Sequence, residues 1–331
     1  MPRAWGVAAL AALAVAPACS SGGGEGDGGG RLRVVTTVSP ITSMVSSIGG
    51  ERVVVDGVVP EGTNSHTFEP PPSVARALSR ADVVYLNGLG LEEPTRRLAA
   101  RNLRPGAEVV ALGDRALTPA EYVYDQSFPR EGGRPNPHLW TNPLLGLKYA
   151  GIIRDDLSRR DPANAPAYAA NYEVLAGQVG ALDRAVRAAS ATIPTERRRL
   201  LTYHDSFPYF AREYGWTVIG AIQPSDFDQP TPREVAAIIR QVRDERVPAI
   251  FGSEVFPSPV LEQIGRETGA RYVDELRDDD LPGDAGDPEH SWLGLLRFDF
   301  VTMVAALGGD PAALEALPAV GDSPGWATYA R

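Results

Sequence analysis

The chain has 331 residues, 43% of them hydrophobic, enough to bury a substantial core in one large or two medium domains. Its formal net charge of -10 argues against nucleic-acid binding, because a phosphate backbone is met by a surplus of Lys and Arg. A single Cys excludes an internal disulfide framework, and with 4 His in the whole chain each imidazole can be weighed as a ligand by itself.

The first element is an apolar run over residues 6–15, after Arg3, too short to span a bilayer but long enough for the hydrophobic region of an export signal. It ends at Ala16-Pro17-Ala18-Cys19, which resembles the site where bacteria cleave ahead of a cysteine that then carries lipid. Residues 1–18 are therefore expected to be a signal peptide and Cys19 the lipidated first residue of the mature chain, held outside the cytoplasm at the membrane surface. Residues 20–30, nearly all Ser and Gly, contain no side chain able to pack and read with Cys19 as a tether. Gly24, Gly26 and Gly29 satisfy G-x-G-x-x-G, but they precede the first strand instead of following it, so the dinucleotide reading fails.

From Arg31 strands and helices alternate. The patterning predicts strands over 32–38, 52–59, 82–86 and 108–112, helices over 41–48, 73–80 and 92–103, and a closing helix over 144–159 stopped by Asp161-Pro162. Residues 163–191 carry apolar side chains at Tyr168, Tyr172, Leu175, Val179, Leu182 and Val186 with no Pro between them, the spacing of one long helix. A second series follows, with strands over 199–203, 217–222, 249–251 and 271–273 and helices over 208–214, 232–246, 259–268 and 291–307. The expected fold class is α/β: two βα lobes with mainly parallel sheets, spanning 31–162 and 194–331, joined by a connecting helix over 163–193.

Loops at the carboxyl ends of parallel strands line the ligand crevice of such folds. His66 lies in EGTNSHTFEP, residues 61–70, after the second strand, and His204 follows the apolar strand of the second series. His138 lies in NPHLWTNP, residues 136–143, just before a helix, and Asp274 is read as the end of the strand over 271–273. His290, at the start of the last helix, reads as a capping or surface residue. The acidic run Asp278-Asp279-Asp280 reads as a solvated loop.

The segments 62–70, 136–143, 204–210 (HDSFPYF) and 272–276 (YVDEL) resemble, in order and spacing, the metal-site motifs of the zinc- and manganese-binding solute-binding lipoproteins of ABC transporters. The resemblance extends from about Arg31 to Gly308 and includes the long helix. It implies one ion held in the cleft by His66 and His138 from the first lobe and His204 and Asp274 from the second, and no catalytic residues. It also implies a monomer that delivers its cargo to a permease and ATPase complex. Some members of that family have been called adhesins.

Three imidazoles and one carboxylate form a donor set of borderline softness, suited to zinc, manganese or iron and poor for calcium or magnesium. His204, where manganese-specialised members often carry a carboxylate, favours zinc with manganese next. The absence of a His-rich stretch over 114–135 weakens that preference. Such a site leaves a charge of +1 to be offset, with Asp205 and Glu254 as nearby candidates. With a reference imidazole pKa of about 6.5, protons are expected to compete with the ion near that pH. A zinc hydrolase is the principal alternative, but H-E-x-x-H is absent, and the G-x-S-x-G string at residues 321–325 lies in a Pro/Gly-rich tail with no strand before it. A surface adhesin or receptor for an organic ligand would need an apolar, aromatic-walled pocket instead of four convergent donors. One continuous helix between the lobes predicts small rotations and loop movements on release, not wide opening.

Overall fold

A computed structural model of the chain describes Met1 and residues 30–125, 127–222, 230–253, 258–319 and 327–329. Cys19, Glu254 and the string at 321–325 lie outside the described residues.

The first sheet is built from β1 (Leu32–Thr36), α1 (Ser39–Gly49), β2 (Val53–Gly57), α2 (Pro72–Arg80), β3 (Val83–Leu86), α3 (Glu93–Asn102), β4 (Glu108–Ala111) and a short α4 (Leu112–Ala116). Its strands are parallel and lie in the order β4-β3-β1-β2, with Val34 opposite both Val55 and Val83. Strands covered on both faces need apolar side chains on both, which is why Val-Val-Tyr-Leu of β3 is buried throughout. Two helices follow, α5 (Pro143–Arg160) and the 28-residue α6 (Ala165–Thr192), which spans about 42 Å at 1.5 Å per residue. Its buried stripe runs through Tyr168, Leu175, Val179, Leu182 and Val186, the spacing that makes one helical face.

The second sheet comes from β5 (Arg199–Thr202), α7 (Pro208–Tyr214), β6 (Thr217–Ala221), α8 (Pro232–Glu245), β7 (Ala249–Ser253), α9 (Pro259–Thr268) and β8 (Arg271–Leu276). These strands are also parallel, in the order β6-β5-β7-β8. The chain then runs through α10 (Trp292–Ala306) and α11 (Ala312–Glu315) to a two-residue strand, β9 (Thr328–Tyr329).

Two features depart from the pattern expected of two separate lobes. β9 pairs with β2, so the end of the chain completes the first sheet, and the Tyr329 ring occupies the space a side chain at Gly57 would fill. One hydrophobic core also runs through both halves, joining Val34 and Tyr85 of the first sheet to Leu200 and Phe251 of the second by way of Trp140, Trp292 and the α6 stripe. The Trp292 indole donates to the Trp140 carbonyl at 2.9 Å, and its backbone amide donates to Ser43 Oγ at 2.8 Å. Residues 31–331 accordingly form one contact unit.

Candidate metal centre

Each candidate histidine is delivered by a different local device. His66 lies in the loop from β2 to α2, where its backbone amide donates to Asn64 Oδ1 at 2.9 Å. His138 precedes a single 3-10 turn, Leu139–Thr141, that leads into α5. There the Asn142 side chain caps the helix by accepting from the Leu144 and Leu145 amides, and Pro143 occupies the first turn, where a missing N–H costs nothing. His204 stands two residues beyond β5, and its carbonyl is held by the Thr202 hydroxyl at 2.6 Å.

The three rings converge. His66 Nε2 lies 3.0 Å from His138 Nε2 and 3.1 Å from His204 Nε2, and the last pair is 3.0 Å apart. Tetrahedral ligands at about 2.0–2.1 Å from a zinc ion stand about 3.3 Å from one another, so the triangle is nearly that of a loaded site. His138 and His204 are buried and His66 is half-buried. The protonation of His138 follows from its partner. Its Nδ1 lies 2.9 Å from Asn136 Oδ1, which can only accept, so Nδ1 carries the hydrogen and Nε2 turns its lone pair to the centre.

Burial and then His204 hold the His66 imidazole well below its ordinary range, and burial followed by its two neighbours does the same for His138. Burial pushes His204 down to about 4, against the opposing pull of Asp125. The three rings are therefore neutral at pH 7, the form that binds metal. Behind them lies a carboxylate layer. Asn136 Nδ2 donates to Asp125 Oδ2 and to the Asp205 carbonyl, while Asp205 Oδ2 accepts from Ser127. Burial and then Asp125 push the Asp205 carboxyl up to about 7. Phe128 and Trp140 wall the cluster, with the Trp140 ring 5.1 Å from that of His138.

Asp274 does not join this cluster. β8 extends to Leu276, beyond the end expected at residue 273, and its register against β7 slips so that Phe251 faces Val273 while Ser253 faces Leu276. The extra residue falls at Asp274-Glu275, and both side chains are exposed there, as in a β-bulge. The carboxylate beyond the true strand end is Asp278. It lines a cavity of about 10 Å³ together with His204, Ser206 and Ser253, and burial pushes its carboxyl up to about 6.

The acidic run is thus no solvated loop. The Asp278 carbonyl accepts from the Trp140 indole at 2.5 Å, Asp280 is buried, and its carboxylate accepts from the Gly62 amide at 2.8 Å. His290 is likewise neither exposed nor a helix cap: it is 3% exposed, and Ser291 caps α10.

The chain matches the model of the family described as zinc-uptake complex component A, periplasmic, over residues 34–306. It belongs to that family, and so is a metal-binding substrate-binding component of an ABC importer and not an enzyme. Among relatives, it is 29% identical to the manganese-binding lipoprotein MntA of Halalkalibacterium halodurans, over 83% of this chain and 88% of that one. It is also 29% identical to the iron-binding protein YfeA of Yersinia pestis, over 84% and 87% of the two chains. Among solved structures, the periplasmic zinc-binding protein TroA of Treponema pallidum superposes with a TM-score of 0.75 at 26% identity, covering 84% of this chain and 99% of that one. Relatives are named as lipoproteins of metal transporters, and among the described residues no helix is long and apolar enough to cross a membrane.

Proposed function

We propose that the chain captures one divalent transition-metal ion, zinc in preference to manganese, through His66, His138 and His204, with Asp278 as the fourth donor in place of Asp274. The observation that carries this reading is the triangle of neutral Nε2 atoms 3.0–3.1 Å apart. Lone pairs so close repel unless a cation lies among them, and nitrogen-rich sites with one carboxylate favour zinc over the harder manganese ion. Relatives are named for manganese, iron and zinc, so the donor at position 204 is the discriminating feature of this chain.

The experiment is a competitive titration. Zinc at one equivalent is expected to displace bound manganese, and His204→Glu, which exchanges nitrogen for a hard anionic oxygen, should narrow the difference between the two ions. Wild-type protein that keeps manganese against equimolar zinc contradicts the zinc preference.

Anchoring by lipid at Cys19 belongs to the same proposal and rests on the Ala-Pro-Ala-Cys sequence with the Ser/Gly-rich run behind it. Cys19→Ala should move the protein from the membrane fraction to the soluble one; a variant that stays with the membrane refutes the anchor.

A further inference from the structure

The loop that carries His66 is tied to the loop that carries Asp278 by two contacts in which neither metal donor takes part. Gly62 N–H donates to Asp280 Oδ2 at 2.8 Å, and Glu61 Oε1 lies 3.4 Å from His290 Nε2. The imidazole of His290 is fixed from its other side, with Nδ1 3.2 Å from both the Pro282 and Gly283 carbonyls. Carbonyls only accept, so Nδ1 carries a hydrogen, and Nε2 faces a carboxyl oxygen across one shared proton. Either His290 is the imidazolium or Glu61 is the acid that donates to it. Burial, followed by Asp280, pushes the Glu61 carboxyl up to about 7 against the pull of Arg277, in keeping with a proton shared at neutral pH.

We infer that Glu61 and His290 are positioning residues which, together with the Gly62–Asp280 hydrogen bond, clasp the His66 loop to the loop over residues 277–290 and so set the rate at which the ion is released. The inference rests on the metal-site reading above. One core runs through both sheets and along α6, and on this inference it is the His66 loop that moves as the ion leaves. Contacts of this kind act on dissociation much more than on encounter.

The test is stopped-flow release of zinc from the full chain into excess chelator. Glu61 is about one-third exposed, so Glu61→Ala leaves the core untouched. It is expected to speed release about tenfold with association changed less than twofold, whereas a merely structural role would move unfolding and leave the release rate alone. Glu61→Gln should restore most of the slow release, because its amide N–H can donate to a neutral Nε2. If wild type holds zinc and Glu61→Ala releases it at the wild-type rate, or if Gln releases as fast as Ala, the clasp is overturned while the metal site stands. A wild type that takes up no zinc removes both.

Discussion

Replacing His138 or His204 by Ala is expected to weaken zinc binding by more than about a hundredfold, beyond the 10–100-fold range typical of losing a partner behind the ligands. Each of these rings is buried, has its Nε2 in the triangle, and has no neighbouring imidazole able to take its place. His66→Ala should fall in the same class. Asn136→Ala defines the lower class: it removes the acceptor that fixes the His138 tautomer and the donor that ties Asp125 to the Asp205 backbone, without touching the ion. The two carboxylates separate most sharply. Asp278→Ala should cost affinity on the scale of a ligand, and the exposed Asp274→Ala almost none. Isothermal titration with a competing chelator ranks all six, and a severe loss in Asp274→Ala with none in Asp278→Ala would reverse the assignment.

The second large effect is on acidity. The reference imidazole pKa leads to an expectation that protons compete with metal near pH 6.5, but burial has already driven the three rings well below that, His204 to about 4. Neutral imidazoles have no proton to displace above that range. The group that does is Asp278, whose carboxyl is raised to about 6 and must ionise to bind. Zinc affinity should therefore be nearly flat above pH 6 and fall about tenfold per unit below it, one proton exchanged per ion, with His204 adding to the slope only near pH 4. Asp278→Asn should flatten the segment between pH 6 and 4.5. In the metal-free protein the sign is the same for a different reason. The unfolded chain takes up protons on these histidines from about pH 6.5 downward while folded His204 resists until about 4, so the histidines' contribution to stability falls through that window, opposed by the raised carboxyls of Asp278 and Asp280. A threefold proton dependence centred on pH 6.5 would contradict the depressed imidazoles.

Much of this was legible in the chain because local patterns carry it. α7 and α9 match the expected spans, each opened by Pro in its first turn and followed at once by Gly in the left-handed conformation. The long helix lies within two residues of its expected start because its apolar stripe is periodic. The histidines stood out because they are few and two of them follow strands. What escaped depends on distant partners. β9 is two residues that are a strand only because β2 lies beside them, and the end of β8 moved because its pairing with β7 slips by one residue, which no local signal in RYVDELRDDD announces. The role of Asn136 was hidden for a related reason, since an Asn-Pro pair reads as a turn until the imidazole it orients is seen beside it.

On the proposed reading, three imidazoles and the Asp278 carboxylate surround one ion. X-ray absorption at the zinc edge of the loaded protein tests it most directly, read for wild type and for Asp278→Asn. The expected spectrum shows a first shell of three nitrogens and one carboxylate oxygen at about 2.0–2.1 Å, with imidazole scattering from three rings and a changed oxygen contribution in the variant. A shell with fewer than three imidazoles, or one identical in Asp278→Asn, would contradict it.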